Sequence, residues 1–546
     1  MAKTKFIFVT GGVMSGIGKG VATSSIGKIL QSKGYSVTAI KIDPYINVDA
    51  GTMTPTEHGE VFVTDDGLET DQDLGNYERF LDTNILAGNY MTTGRVYLSV
   101  INRERNLEYN GKNVEVVPDI PLEVISRIKK AAKVTKADFV LIEIGGTVGE
   151  YQNVLFLEAA RMLKTENPRD VLVFLVSYLP VPRMIGEMKT KPTQYAARSL
   201  NAVGIIPDFI LCRSEVPVDE VRKNKIALFC NVPKDHVIAS PDVDFIYEIP
   251  VNYDNEKLGE KILSALKMKV KVKDMKEWRK EVEKVRNIDK KIKIGIVGKY
   301  FNSGSFVLAD SYISVIESVK IAAWANGYKP EIEWINSEEF EQDPKSLARL
   351  KRMDGVIIPG GFGSRGIEGK ISAVKFLREN KIPLLGICYG MQIICIEYAR
   401  NICGLEGANT TEINQKTKYP VIDIMPEQKK NLKEKNFGAT MRLGAYPAQL
   451  NTGTAAYGAY KTEAISERHR HRWEVNPEYT EVLEKNGLVF SGKSPNGKLM
   501  EIAELPKGKH PFLLGTQFHP EFKSRFMKPH PIFNAFMKAA VKEKKD

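Results

Sequence analysis

Cysteine is sparse in this sequence: five in 546 residues, an odd number, and none in CxxC spacing. That excludes a disulfide scaffold and a structural zinc site, and it predicts a reducing, cytoplasmic setting. Long apolar runs are missing too. The longest, residues 171–181, is broken by Ser177 and Pro180. It falls short of the ~18–20 residues of a membrane helix, so it reads as a buried strand and no membrane partner is expected. Met1-Ala2-Lys3-Thr4-Lys5 leads into a short strand-like run and then glycines, which is not the pattern of a secretory leader. The sequence also has no internal repeat. The charge balance is basic, 78 Lys and Arg against 67 Asp and Glu, net +11. The basic stretches lack interleaved aromatics, so the surplus reads as a lysine-rich bias and not as a nucleic-acid surface.

The chain is too long for one core. Its first part alternates β-like runs, at residues 6–10, 36–42, 139–144, 171–177 and 209–212, with amphipathic segments. This predicts an α/β domain with a parallel sheet over residues 1–266. Residues 267–291 are dense in Lys and Glu and read as an exposed helical linker. The α/β pattern restarts at Ile292-Lys293-Ile294-Gly295 and continues with strands at 355–358, 384–387 and 512–518, giving a second α/β domain over 292–546. The basic run 427–435 reads as a surface loop.

The most telling chemistry sits in Gly386-Ile387-Cys388-Tyr389-Gly390. A Gly-x-nucleophile-x-Gly elbow turns a strand sharply into a helix and lifts the middle side chain clear of the backbone. A thiol at that helix N-terminus is biased toward thiolate. The other four cysteines, Cys212, Cys230, Cys395 and Cys403, read as buried small hydrophobes. A base and an orienting carboxylate are available in His519 and Glu521, two apart at the end of an extended segment and so on one side of it. A glycine of Pro359-Gly360-Gly361-Phe362-Gly363 can aim an N–H at an oxyanion, with a second from the residue after Cys388.

A second site opens the chain. Strand 6–10 runs into Gly11-Gly12-Val13-Met14-Ser15-Gly16-Ile17-Gly18-Lys19-Gly20, a glycine loop suited to phosphate. It departs from the Walker A pattern: its glycines are one residue too far apart, and Gly20 replaces the magnesium-binding Ser or Thr. Asp65, Asp66, Glu69, Asp71 and Asp73 cluster in one loop, and Glu143 closes a strand. Asp73 and Glu143 are the candidates for Mg²⁺, the other acids reading as a solvated loop. Lys189-Thr190-Lys191-Pro192-Thr193-Gln194 suits either a triphosphate and base edge or a proline-started surface turn. His469-Arg470-His471-Arg472-Trp473-Glu474 admits metal, nucleic-acid or carboxylate binding, and the residues alone do not rank these.

Taken together, these blocks resemble the CTP synthase family over nearly the whole length. The match extends to Lys41-Ile42-Asp43-Pro44-Tyr45, His58-Gly59-Glu60-Val61-Phe62 and Gly75-Asn76-Tyr77-Glu78-Arg79. The resemblance implies a P-loop-like parallel-sheet amidoligase domain followed by a class I, triad-type glutamine amidotransferase domain. It implies ATP-dependent amination of UTP to CTP through a 4-phosphorylated UTP, with ammonia from glutamine hydrolysis channelled between the domains. Position by position, it implies ATP contacts at Gly16, Ile17, Gly18, Lys19, Gly20, Val21, Lys41, Asp242 and Val243, and Mg²⁺ at Asp73 and Glu143. The UTP site, where CTP also binds as product inhibitor, would comprise Ser15, Glu150, Tyr151, Gln152, Lys189, Thr190, Lys191, Pro192, Thr193, Gln194 and Lys225. Gly361, Tyr389, Gly390, Met391, Gln392, Glu412 and Arg472 would hold L-glutamine, with Arg472 on its carboxylate, and His58 would line the ammonia passage. GTP as activator and a homotetramer are implied as well.

The sequence departs from the family's pattern at three places. Gln152 stands where the family has an acid recognising the pyrimidine, Asp119 where it has histidine, and Tyr389 where it has leucine. Two rival readings remain. A related P-loop amidoligase acting on a carboxylate would not need residues 189–194. A non-catalytic nucleotide-dependent assembly protein would not need Cys388, His519 and Glu521.

Overall fold

The computed structural model describes residues 4–299, 302–303, 306–307, 309–361, 363–433 and 437–544. Phe362 of the glycine turn and residues 434–435 of the basic run lie outside them. The chain divides into two compact units. The first comprises the residues up to Ala50 together with Asp73–Glu283, the second Gly51–Gln72 together with everything from Lys284 onward.

The first unit is built on seven strands in the order Tyr90–Thr92, Val37–Asp43, Phe139–Ile144, Lys5–Gly11, Val171–Tyr178, Phe209–Ser214 and Val237–Pro241. Every pairing is parallel. Parallel strands need crossover helices that cover both faces, which is why these segments read as near-continuous apolar runs. Phe8, Ile40, Ile142, Val173 and Ile210 are buried in a core on one face. The central strand Lys5–Gly11 lies between Phe139–Ile144 and Val171–Tyr178, so its carboxyl end opens where ligands of such sheets bind.

Residues 267–291 are not a free tether. They contain the helix Lys276–Arg286, whose Trp278 is buried and donates its indole N–H to the Tyr247 carbonyl at 2.9 Å. Its ring lies 5.8 Å from Phe80. The Lys and Glu that suggested exposure occupy the other face of an amphipathic helix.

The second unit carries a nine-stranded sheet in the order Lys329–Asn336, Lys291–Gly298, Gly355–Ile358, Leu384–Ile387, Leu513–Thr516, Met500–Glu504, Val489–Lys493, Arg442–Leu450 and Ala464–His471. The first five are parallel and the last four join antiparallel. One expectation needs correction here. Residues 426–433 form the helix Pro426–Lys433, not a loop, because Gln428 is buried against Arg472. Residues 51–72, assigned from sequence to the first domain, cluster with the second. They carry the short helix Pro55–His58 and a two-stranded hairpin, Phe62–Val63 with Glu69–Thr70. Their partners lie far along the chain. Ser314 donates its backbone N–H to Glu60 at 3.1 Å, Arg468 pairs with Asp65 at 2.5 Å and Arg470 with Glu69 at 2.8 Å. No local pattern announces such pairings.

Candidate active sites

In the second unit the strand Leu384–Ile387 delivers Cys388, and the helix Tyr389–Asn401 starts at the next residue. Cys388 adopts φ 50°, ψ −100°, a left-handed conformation strained for a residue with a Cβ. Its flanking glycines are needed for close approach. A Cβ on Gly390 would lie 2.1 Å from the Ile358 carbonyl oxygen, and one on Gly386 would lie 2.7 Å from Gly390. The turn is therefore held by contact with the neighbouring strand, and the thiol is presented at the carboxyl end of the sheet.

His519 and Glu521 complete the set. Nδ1 of His519 is 2.7 Å from Oε1 of Glu521, and both residues are buried. The strand ends at Thr516, earlier than the sequence pattern suggests, and Glu521 stands in a 3₁₀ turn, Pro520–Lys523. The pair thus meets across a tight turn, not along an extended segment. Burial opposes a charge on His519, but Glu521 and Cys388 outweigh it and push its pKa up to about 10. Among the described residues Nε2 of His519 is buried without a hydrogen-bond partner, and Cys388 lines the same cavity. The ring stacks on Phe522, which in turn packs on Phe62 of the 51–72 segment, centroids 5.0 Å apart in both pairs.

A cavity of about 70 Å³ opens between Cys388, His519, Gly360 and Gly361 on one side and Pro55, Val61, Tyr312 and Val315 on the other. Two residues without a role in the sequence reading belong to this site. Gln517 donates from Nε2 to the Cys388 sulfur at 3.6 Å and accepts from Gln392 at 3.2 Å. Arg470, not Arg472, lines the cavity. Arg472 instead donates to Gln428 at 2.6 Å, Thr440 at 2.9 Å and the Phe437 carbonyl at 2.7 Å. Glu412 accepts from the Gly363 N–H at 2.8 Å, and burial raises its pKa. Tyr389 turns away from the thiol into the core, where the Lys370 ammonium lies 5.5 Å from its ring centre. His58 lies 3.6 Å from Asp71.

The arginine–histidine block thus has its explanation. Arg468 and Arg470 point one way, into the acid loop. His469 points the other way, onto Glu501 at 2.7 Å, as alternation along a strand requires. Asp65 and Glu69 are arginine partners, not a solvated loop.

In the first unit Gly16 and Gly18 take φ 70° and 80°, and the helix Lys19–Ser32 begins directly after. Lys19 donates to the Gly146 carbonyl at 2.9 Å. Burial lowers its pKa, against the pull of Glu143. Gly20 has a clear reason: a Cβ there would fall 2.2 Å from Asp73 Oδ1. Asp73 occupies the space a Ser or Thr would need. Lys41 pairs with Asp73 and lies 3.4 Å from Glu143, whose other oxygen accepts from the Tyr77 hydroxyl. Glu143 is fully buried, and burial and the Asp73 charge push its pKa up to about 7 against Lys41 and Lys19. Two like-charged carboxylates beside a phosphate loop, one held partly protonated, fit a site built for a further cation. Among the described residues no cluster of three or more His, Cys, Asp or Glu could hold a metal. The rest of such an ion's ligands would be phosphate and water oxygens, as Mg²⁺ prefers.

The remaining candidates of this unit surround the loop unevenly. Asp242 pairs with Arg213 at 2.6 Å, and Arg213 lies against Gly18, which brings the 241–243 turn to the loop. Glu150 acts on the charge of Lys19. Lys189 pairs with Glu187 at 2.6 Å, and Lys225 also acts on Glu187. Thr190 accepts from Gln194 at 3.1 Å, and Thr193 accepts from Ser177 at 2.8 Å inside the core. Ser15, Gln152 and Lys191 are exposed, and Tyr151 is 97% exposed. Asp119 accepts the Glu115 N–H at 2.8 Å at a helix start, a local capping role.

Comparison with known proteins covers both units. Residues 5–268 match the family model described as CTP synthase N-terminus, and residues 307–539 match glutamine amidotransferase class-I. The chain is 50% identical over 545 residues to the CTP synthase of Pyrococcus abyssi, covering 100% of this chain and 99% of that protein. It is 50% identical over 546 residues to the CTP synthase of Methanocaldococcus jannaschii, with 99% of each covered. Among solved structures, the glutaminase domain of Trypanosoma brucei CTPS with bound acivicin is 35% identical. It covers 47% of this chain and 96% of that chain at a TM-score of 0.42.

Proposed function

The chain belongs to the CTP synthase family, and from that premise we propose how its residues divide the work of a glutamine-hydrolysing ligase. ATP, UTP and glutamine are the substrates, and the carboxylate-amidating alternative is not favoured. The observation that carries the reading is the Cys388–His519–Glu521 set around one cavity in one unit, combined with the Lys19–Lys41–Asp73–Glu143 cluster in the other.

In the second unit the Cys388 sulfur attacks the glutamine side-chain carbonyl, and N–H groups of Gly361 and Tyr389 receive the oxyanion. His519, held protonated by Glu521, gives its proton to the departing nitrogen. Ammonia leaves and a thioester remains. His519 then takes a proton from water, which cleaves the thioester to glutamate. Glu412 and Gln392 suit the substrate ammonium. Arg472 suits its carboxylate, which would take the place of the Gln428 contact. Ammonia forms beside the apolar wall of Pro55, Val61 and Val315, where it stays unprotonated and nucleophilic, and His58 would line its path.

In the first unit the uracil O4 attacks the γ-phosphorus of ATP, and ADP leaves. Ammonia adds at C4, and phosphate departs to give CTP. Backbone N–H groups of the loop, Gly16 through Val21, with Lys19 and Lys41, hold the ATP phosphates. Asp73 and Glu143 would hold Mg²⁺, which when bound would neutralise charge on the transferring phosphoryl group. Asp242 and Val243 lie on the adenine side. Ser15, Glu150, Tyr151, Gln152, residues 189–194 and Lys225 recognise UTP and, as inhibitor, CTP. GTP activation, a homotetramer and a cytoplasmic location complete the reading.

The test compares two nitrogen sources. With Cys388→Ala, CTP formation from glutamine is expected to vanish while formation from ammonia stays within about twofold of the parent. Loss of both in a folded variant would refute the division between the two units.

A further inference from the structure

A second cavity of the second unit, about 770 Å³, takes no part in this chemistry. It lies against the helix Pro531–Glu543 and the helix Ala455–Tyr460. Lys381 and Phe512, on its wall, precede the parallel strands Leu384–Ile387 and Leu513–Thr516, whereas Cys388 and His519 follow them. The groove and the thiol are therefore at opposite ends of the sheet, and no small ligand reaches both.

The groove is lined by Lys381, Lys461, Lys507, Lys509, Lys538 and Lys542, all exposed, and by one carboxylate, Glu543. Among the described residues none of these six ammonium groups pairs with a carboxylate. Lysines elsewhere on the same unit do pair: Lys291 with Glu331 at 2.8 Å, Lys485 with Glu481 at 2.5 Å and Lys493 with Glu484 at 3.2 Å. A general surplus of lysine does not account for six unpaired cations around one concavity, because their mutual repulsion disfavours gathering them without an anion.

The lysines are also presented by fixed backbone. The N–H groups of Lys509 and His510 both donate to the Pro506 carbonyl, at 2.8 and 3.1 Å. His510 is buried. Its Nδ1 accepts the Phe512 N–H at 3.2 Å, leaving Nε2–H to donate to the Leu377 carbonyl at 3.3 Å. Lys538 and Lys542 are four apart on their helix and share a face. Gly458, Ala459, Ala535 and Ala539 leave the floor open for want of side-chain bulk.

We propose that this groove binds a small oligophosphate anion, either a free polyphosphate or the phosphate chain of a nucleotide. Phosphate oxygens would meet the lysines of several walls at once, which a monovalent anion cannot do. The site is separate from the amination reaction and stands whether or not that reading holds.

Lysine acetylation of the full-length protein, mapped by mass spectrometry, reads the groove locally and so is blind to phosphate bound at Lys19. Tripolyphosphate is expected to slow acetylation of Lys507, Lys509 and Lys538 by at least about threefold, while sodium chloride at equal ionic strength does not. The triple variant Lys507→Gln, Lys538→Gln, Lys542→Gln should lose that protection at Lys381, Lys461 and Lys509 with glutaminase activity unchanged. Stronger protection by ATP than by tripolyphosphate assigns the groove to nucleotides, and equal protection assigns it to the phosphate chain itself. Equal slowing by sodium chloride overturns the proposal. So does protection that survives the triple variant, or protection by an RNA oligonucleotide but not by tripolyphosphate.

Discussion

The two reaction centres differ in how complete the protein leaves them. In the second unit Glu521 and Cys388 push His519 up to about 10 against its burial. In the first unit the charges are unsettled. Burial, with the Asp73 charge adding to it, pushes Glu143 up to about 7, and burial lowers the pKa of Lys19. On the proposed reading the thiol centre is assembled before glutamine arrives, and the centre in the first unit is an electrostatic frame that a polyanionic ligand and a cation would complete. Nucleophilic catalysis demands a reactive group before substrate arrives, whereas phosphoryl transfer is mostly positioning and charge stabilisation.

The sharpest way to break this comparison is Lys19→Ala. The frame loses its main cation for the ATP phosphates, so CTP formation is expected to fall by at least ~100-fold with ammonia and with glutamine alike. Glutaminase turnover measured without nucleotide should be unchanged, since the thiol centre stands by itself. Ammonia-driven synthesis at near-parent rate would remove Lys19 from the phosphate site.

A smaller effect tests the self-sufficiency of the thiol centre. Glu521→Gln removes the strongest support for the His519 imidazolium. A raised histidine pKa contributes stability that is fully present below the unfolded value, ~6.5, and is lost as pH rises through about 10. Without the carboxylate this window narrows from its alkaline side. The alkaline limb of the glutaminase kcat/KM profile is expected to move to lower pH by about a unit or more, with a rate loss of roughly 10- to 100-fold. Ammonia-driven synthesis should keep its pH profile. An unmoved alkaline limb would mean that Glu521 orients His519 without setting its charge.

How much of this was legible follows the range of each interaction. The elbow was legible because it is local: glycines on either side of one residue, each explained by a contact under 3 Å. The parallel strands were legible because burial on both faces leaves a continuous apolar run. Gly20 was visible as an anomaly, but its cause, Asp73, is brought in by the fold. That residues 51–72 pack with the second unit was not legible, since Asp65 and Arg468 are 403 positions apart, and neither charge differs locally from a solvated one. The helix Lys276–Arg286 was legible as a helix but its buried side was not, because its polar face outnumbers the few apolar residues that bury it. Gln517 escaped because an amide before a catalytic histidine has no pattern of its own. Its value lies only in where the sulfur sits.

The subtlest test uses a charge the thiol unit carries without chemical use. Lys370 is fully buried, its amine has no hydrogen-bond partner among the described residues, and it lies over the face of Tyr389, 5.5 Å from the ring centre. Burial, with Lys299 adding to it, pushes its pKa down to about 7. Between about pH 7 and the ordinary lysine value of ~10.5 the unfolded chain holds a proton that the folded chain does not, so Lys370 makes folding more favourable as pH rises. Lys370→Met keeps the volume and removes that dependence. The variant is expected to be more stable than the parent, by the largest margin at and below pH 7, with the margin shrinking toward zero near pH 10.5. Denaturant midpoints at pH 7 and pH 10 measure both ends. A margin that is flat or grows with pH would mean that Lys370 is charged and held at neutral pH. The thiol unit would then share the unsettled electrostatics of the phosphate unit.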